Sequence, residues 1–114
     1  MLYCAELWIL KIKDVKFYAI TYDLRQPGRK YDELYEEIKK QAGDSNWQHP
    51  MESFWVIAVS EYSPKDKETM YKALRQYIDD NDSLFITRID NTEHQGWMPK
   101  NFWNWFKEKI VQQW

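Results

Sequence analysis

The chain has 114 residues, 44% of them hydrophobic and 30% charged, which is the length and balance of one folded domain and excludes a disordered polypeptide. Its formal net charge of −2 excludes nucleic-acid binding through overall charge, so any phosphate contact needs a local basic patch. A single cysteine, Cys4, excludes a disulfide framework or a cysteine-based zinc site and, with no apolar run of membrane-spanning length, favours a cytoplasmic protein.

The first predicted elements are a strand, a loop and a helix. Residues 1–15 are either an extension outside the domain or an added strand or helix turn packed on it, and residues 16–114 form the domain. Residues 16–24, KFYAITYDL, are apolar at both alternating sets of positions, which predicts a central strand. Residues 25–30 contain Pro-Gly and predict a loop. Residues 31–42 carry apolar side chains at helical spacing, and Gly43 marks the end of the helix.

Strands and helices alternate through the rest of the chain. WQHPM at 47–51 is a weak edge strand because its proline cannot donate to a ladder, and ESFWVIAVSE at 52–61 is a second central strand. A helix is predicted from Ser63 to about residue 78, and SLFITRID at 83–90 is a third clear strand. The capping box of this helix is expected to comprise Ser63 as the cap, Pro64 at the first helical position and Asp66. A last aromatic helix covers about 97–112, and Pro99 opens it.

This order, βαββαβ plus a C-terminal helix, predicts an α+β fold of the ferredoxin-like type, with two helices on one face of a four-stranded antiparallel sheet. Strands 17–24 and 52–61 are expected side by side in the centre. The other face must be covered by the last helix, a second copy or a ligand. Seven Trp, eight Tyr and five Phe favour a covered face, so a homodimer is the first expectation.

Asp23 is the first candidate functional residue, because it ends a central strand where ligands bind in open sheets. It is a candidate catalytic residue and ligand for Mg²⁺ or Mn²⁺, since such ions use one or two carboxylates plus water. The alternative is a carboxylate that caps the following loop through backbone N–H groups. Arg25, Arg29 and Lys30 are candidate nucleic-acid contacts beside it, or else solvated loop residues.

The remaining candidates carry weaker chemistry. His49 is an accessory general acid or base, or a ring packed among aromatic residues. Ser53 lacks the partners of a catalytic triad. The last helix is either a stacking surface for bases or part of the core. The core interpretation is preferred and applies to Trp97, Phe102, Trp103 and Phe106, whereas Trp105 falls off the centre of the apolar stripe.

The stretches KFYAITYDL, ESFWVIAVSE and SLFITRID, with TYDLRQPG and YDELYEEIKK near the start, resemble the small CRISPR-associated ferredoxin-like proteins that partner the spacer integrase. Virulence-associated D toxins share that fold. The resemblance implies a metal-dependent endonuclease in which Asp23 faces its symmetry mate across a dimer, with basic residues at Arg25 and Arg29. Ser53 matches the family's serine before a hydrophobic-aromatic stretch. The family's further short strand is replaced here by a loop and an aromatic helix, which implies a stand-alone member.

Two functions follow. One is a Mg²⁺-dependent endonuclease acting on RNA or DNA, in antiviral defence or as a toxin, in which paired Asp23 residues hold the metal and the arginines position the backbone. The other is a non-catalytic dimeric module that binds nucleic acid or a protein. The acidic net charge and the absent terminal strand favour the second function, whereas the position of Asp23 favours the first.

Overall fold

A computed structural model describes residues 15–25 and 31–111, which form a four-stranded antiparallel sheet and three helices. Predictions for residues 1–14 of the N-terminal extension, for Pro27 and Gly28, and for Arg29 and Lys30 fall outside these residues, whereas Val15, the last residue of the predicted extension, is the first residue of β1. The elements in chain order are β1 (Val15–Asp23), α1 (Tyr31–Ala42), β2 (Trp47–Met51), β3 (Phe54–Ser60), α2 (Lys67–Arg75), β4 (Ser83–Ile89) and α3 (Lys100–Val111).

The strand order in the sheet is β2-β3-β1-β4, and every neighbouring pair is antiparallel. The prediction that β1 and β3 are the central pair is therefore confirmed. The α+β class is confirmed too, and the arrangement is compatible with a ferredoxin-like fold. In this register Thr21 on β1 lies opposite Phe54 on one side and Phe85 on the other.

The first face of the sheet is covered by α1 and α2. Leu34 and Ile38 of α1 and Met70 and Leu74 of α2 are fully buried against side chains of the sheet. The sheet contributes Tyr18, Ile20, Tyr22, Trp55, Ile57 and Val59. Asp32 and Glu33 lie in the first turn of α1 and Lys39 and Lys40 in its last, which suits the helix dipole. Gly43 has a φ of +91°, so glycine provides the left-handed residue that ends α1.

The second face is covered by α3, but only over part of its area. Phe17, Val56 and Ala58 from the central strands pack against Phe102, Trp105 and Phe106 of α3. The ring of Phe17 is stacked on that of Phe106, with their centroids 4.1 Å apart. One of the coverings expected from sequence, the last helix, is therefore present over this part of the sheet.

Two predictions about the aromatic residues near α3 are wrong. Trp105, expected off the apolar stripe, is buried, and its Nε1 donates to the carbonyl of Ser45 at 2.9 Å. This bond joins α3 to the loop between α1 and β2, so the buried stripe of α3 is wider than the sequence suggests. Trp97, expected in the core, is 99% exposed. It precedes α3 in a loop that passes over the sheet, and its side chain is left in solvent.

Several element boundaries also differ from prediction, among them three near α2 and β3. Helix α2 begins at Lys67, and its N-cap is Asp66, whose carboxylate accepts the amide of Thr69 at 2.9 Å. Ser63 instead accepts the amide of Lys65 in the preceding turn. A short polar side chain that bonds locally to the backbone favours turns as well as caps, which is why the earlier start was predicted. Regular α-helix ends at Arg75, and β3 begins at Phe54, after the turn that holds Ser53.

Candidate interaction surface

Asp23 lies at the end of β1 on the second face, as the strand alternation predicts, and its side chain is exposed to solvent. Its Oδ2 lies 3.8 Å from Nε of Arg25, and its opposite residue on β4 is Ser83. Among the described residues there is no group of three or more His, Cys, Asp or Glu side chains placed to hold a metal ion.

The start of the loop after β1 is fixed by an acid. The backbone N–H of Arg25 donates to Oδ1 of Asp82, while Oδ2 of Asp82 accepts the N–H of Asp79, each at 2.8 Å. Asp82 thus ties this loop to the one between α2 and β4. The acceptor of the Arg25 N–H is therefore Asp82 of the neighbouring loop.

Among the described residues, carboxylates gather around Tyr31 at this end of the sheet. The pKa of Tyr31 is raised, first by burial of its phenol and then by the charge of Glu52 and the neighbouring Tyr35, with Asp23 and Asp82 adding to the effect. Nearby carboxylates disfavour a phenolate, and their effect adds to that of burial. Arg25, the described member of the predicted basic set, lies within this acidic surrounding.

His49 packs among aromatic rings, as the structural alternative expects. Its ring is stacked on that of Trp55 at 3.9 Å with an interplanar angle of 13°. Its Nε2 lies 2.8 Å from the carbonyl oxygen of Glu52. Because a carbonyl can only accept, Nε2 carries the hydrogen and donates it, and the ring is thereby fixed in orientation.

The turn between β2 and β3 is held by a network around the carbonyl of Glu52. Besides His49, the hydroxyls of Tyr22 and Tyr35 donate to it at 2.9 and 3.4 Å. The Tyr22 hydroxyl in turn accepts Nε1–H of Trp55 at 3.0 Å. Burial raises the pKa of Tyr22, and the hydrogen bond with Tyr35 raises it further, so this hydroxyl keeps its proton and remains a donor.

Ser53, the other accessory candidate, is part of the same turn. Its carbonyl accepts Oγ1–H of Thr21 at 2.8 Å and the backbone N–H of Tyr22 at 3.3 Å. In the described structure Ser53 therefore stabilises the turn through hydrogen bonds to its backbone carbonyl. Together these bonds fix the positions of the residues on either side of the turn, Met51 and Phe54.

Met51 and Phe54 belong to a line of side chains that crosses the second face. Met51 of β2 lies opposite Phe54 of β3, Phe54 opposite Thr21 of β1, and Thr21 opposite Phe85 of β4. We call these four residues the apolar row; each comes from a different strand. Met51 is 52% exposed and Phe85 is 63% exposed. The row therefore presents apolar surface at its two ends, while Phe54 between them is partly buried against the core that includes α3.

A cavity of about 360 Å³ adjoins the row where the loop before α3 crosses the sheet. Its lining includes Met51 and Phe54 of the sheet together with Trp97, Met98 and Trp103 from the loop and α3. Trp97, almost fully exposed, stands at its rim. Contiguous exposed apolar surface of this kind, with a concave centre, is typical of interaction sites.

Sequence reasoning missed the apolar row for a physical reason. Phe54, Thr21 and Phe85 lie in runs that are apolar on both faces, so alternation alone could not show which side chains remain exposed. The available signal was the parity that places Phe17, Ala19, Thr21 and Asp23 on one face. Combined with the antiparallel register, that parity would have aligned Thr21 with its neighbours, but register depends on turn geometry that the sequence leaves open.

Comparison of the chain with models of known protein families and with curated proteins finds no match. The described helices include none that is both long and apolar enough to cross a bilayer. The apolar row, its cavity and the carboxylates beside them are the features from which a function can be inferred.

Proposed function

We propose that the protein is a non-catalytic protein-binding module of ferredoxin-like fold, whose apolar row receives an apolar segment of a partner protein flanked by basic residues. The observation that carries the proposal is the row itself, in which Met51 and Phe85 remain more than half exposed at its two ends. Apolar side chains that span a whole sheet and border a cavity offer a partner anchors without further rearrangement.

The charge beside the row defines the partner's flanks. Asp23 ends the strand that carries Thr21, and Glu52 lies in the turn between Met51 and Phe54. Arg25 is within ion-pair distance of Asp23, so it offers little net positive charge to a phosphate. Complementary potentials across an interface favour a basic partner at such a border. The same acidic border disfavours a nucleic-acid backbone.

A metal-dependent endonuclease is the second candidate, and the exposed position of Asp23 at the end of a central strand favours it. It follows from the resemblance to the CRISPR-associated ferredoxin-like proteins, with Asp23 as ligand for Mg²⁺ or Mn²⁺ and Arg25, Arg29 and Lys30 on the phosphates. His49 and Ser53 would be its accessory residues. This candidate ranks second because it needs sheet-against-sheet stacking of two copies on the face that α3 already covers in part.

A displayed library of random peptides, selected on the purified protein, tests the binding proposal. We expect enriched peptides to combine two or more large apolar residues with lysine or arginine at the flanks. Phe85→Ser should weaken a selected peptide at least about ten-fold, because a buried aromatic anchor is worth roughly 2 kcal/mol or more at an interface. Tyr62→Ser is the matched control, since Tyr62 is also aromatic and exposed but lies in the turn after β3.

Two results would count against the proposal. One is enrichment of peptides whose affinity is the same for Phe85→Ser as for Tyr62→Ser. The other is Mg²⁺-dependent cleavage of RNA or DNA by the purified protein that is lost in Asp23→Asn and unaffected in Asp44→Asn. The second result would establish the endonuclease in its place.

A further inference from the structure

The two edges of the sheet differ in how open they are to another strand. Edge strand β2 contains Pro50, which has no N–H, and its pairing with β3 shifts register between Gln48 and Met51. Edge strand β4 has neither feature: its seven residues pair with β1 without a shift. Prolines and bulges protect sheet edges from pairing, so the described edge at β2 is protected and the one at β4 is not.

The hydrogen bonds within the sheet show which groups of β4 point outward. The N–H of Tyr22 donates to Ser53, on the side of β3. Backbone groups alternate in direction along an antiparallel strand, so those of Thr21 and Asp23 point towards β4. Their opposite residues, Phe85 and Ser83, point back towards β1. The N–H and C=O groups left pointing away from the sheet belong to Leu84, Ile86 and Arg88.

We propose that this edge pairs with the same edge of a second copy, antiparallel and with its two-fold axis at Ile86. Ile86 is the midpoint of Ser83–Ile89, so a pairing centred there uses the whole strand. It matches Ile86 with the second copy's Ile86 and Leu84 with its Arg88, and each matched pair exchanges both backbone hydrogen bonds. An isologous contact requires such self-complementarity, and this strand meets the requirement.

The side chains fit the same register. Phe85 would lie opposite Thr87 of the second copy, at a position where the strands approach most closely and an aromatic ring against a β-branched residue is favourable. Both are exposed on the second face. Leu84 and Ile86 are partly buried against the core between the sheet and helices α1 and α2, so the backbone of edge strand β4 is held rigidly. Arg88, the one charged residue of β4, is paired with Glu61 at 2.8 Å.

The pairing also fixes how the two sheets and their functional residues are arranged in the dimer. A two-fold axis normal to the sheet leaves both apolar rows on the same side of one continuous eight-stranded sheet. The two β1 strands would then be three strand spacings apart, about 14 Å, which separates the two Asp23 carboxylates too far to share one Mg²⁺ with bonds of about 2.1 Å. The edge dimer and a shared-metal dimer are therefore mutually exclusive.

Disulfide trapping tests both the partner and the register. Phe85→Cys and Thr87→Cys are made separately in a Cys4→Ser background, one carrying a mass tag, and are mixed and oxidised with diamide. We expect the tagged-untagged disulfide between positions 85 and 87 to exceed either self-disulfide about ten-fold, because the Cβ atoms of opposite residues in a non-hydrogen-bonded pair lie much closer than those of diagonal residues to the separation of about 3.8 Å that a disulfide needs. Asn101→Cys, exposed on α3, gives the background from collisions.

The outcomes separate this inference from the binding proposal. Mixed disulfide no greater than the Asn101→Cys background would overturn the edge dimer, and a dominant self-disulfide of Phe85→Cys would overturn the register. Thr87→Lys should lower the dimer fraction in sedimentation about ten-fold, since an edge lysine opposes strand pairing, whereas Asn101→Lys should leave it unchanged. Peptide binding to Thr87→Lys, measured in the same samples, reports on the apolar row independently of dimer formation.

Discussion

Phe17 of β1 and Phe106 of α3 stack face to face, with their ring planes inclined by 24°. The edge of Trp105 also approaches Phe17, at 5.8 Å between centroids. Phe17 has no exposed surface, although it lies on the face of the sheet opposite α1 and α2. The last helix is therefore a structural layer of the domain.

Phe106→Ala tests that role. Removing a buried phenylalanine side chain leaves a cavity against Phe17, so the free energy of unfolding should fall by about 3–5 kcal/mol. Urea denaturation followed by tryptophan fluorescence measures it. Lys107→Ala, at an exposed neighbouring position, should stay within about 0.5 kcal/mol of the original protein. Equal stability of the two variants would mean that α3 does not support the sheet.

Tyr22→Phe tests the network that fixes the turn between β2 and β3. The change removes the hydroxyl that donates to Glu52 and accepts from Trp55, leaving the indole N–H without this partner. An unsatisfied buried donor costs about 1–3 kcal/mol, and the free energy of unfolding should fall by that amount. Tyr71→Phe is the control, because Tyr71 is exposed on α2. An unchanged stability for Tyr22→Phe would show that the turn is held without this hydroxyl.

The same residue gives a pH dependence. Burial holds the pKa of Tyr22 in the folded protein above its ordinary value of 10.0. Above that pH the unfolded chain releases the proton while the folded chain retains it, so the stabilising contribution is full below pH 10 and declines as pH rises further. Urea midpoints taken between about pH 8 and pH 11 should fall more steeply for the original protein than for Tyr22→Phe. Parallel slopes would contradict the shift.

Local signals in the sequence predict much of the fold. The first helix is found at 31–42 as expected, because its apolar spacing, its charged ends and the glycine that follows all agree. The weak strand WQHPM occurs at 47–51 as an edge strand, as its proline requires. The central pairing of β1 and β3 follows from two continuous apolar runs joined by the handedness of the connections.

The surface is harder to predict, because it depends on contacts between distant parts of the chain. The burial of Trp105 depends on Ser45, sixty residues away, and the exposure of Trp97 on the path of a loop. The apolar row requires the register of four strands at once. By contrast, the position of Asp23 on its strand is local and was predicted, while its role as a metal ligand concerns a second molecule and stays a prediction.

Partial coverage by α3 divides the sheet along its length. Where Phe17 and Ala58 pair, helices pack on both sides of the strands, whereas Phe54, opposite Thr21, is only partly buried against the cluster that contains the α3 side chains. Backbone amides exchange hydrogen with solvent when their surroundings open locally, and doubly packed strands open least. Deuterium uptake along β1 and β3 should therefore be graded, slowest beneath α3 and faster towards the turn at Glu52. A partner bound near that turn would slow exchange most in the half of the sheet where exchange is fastest in the free protein.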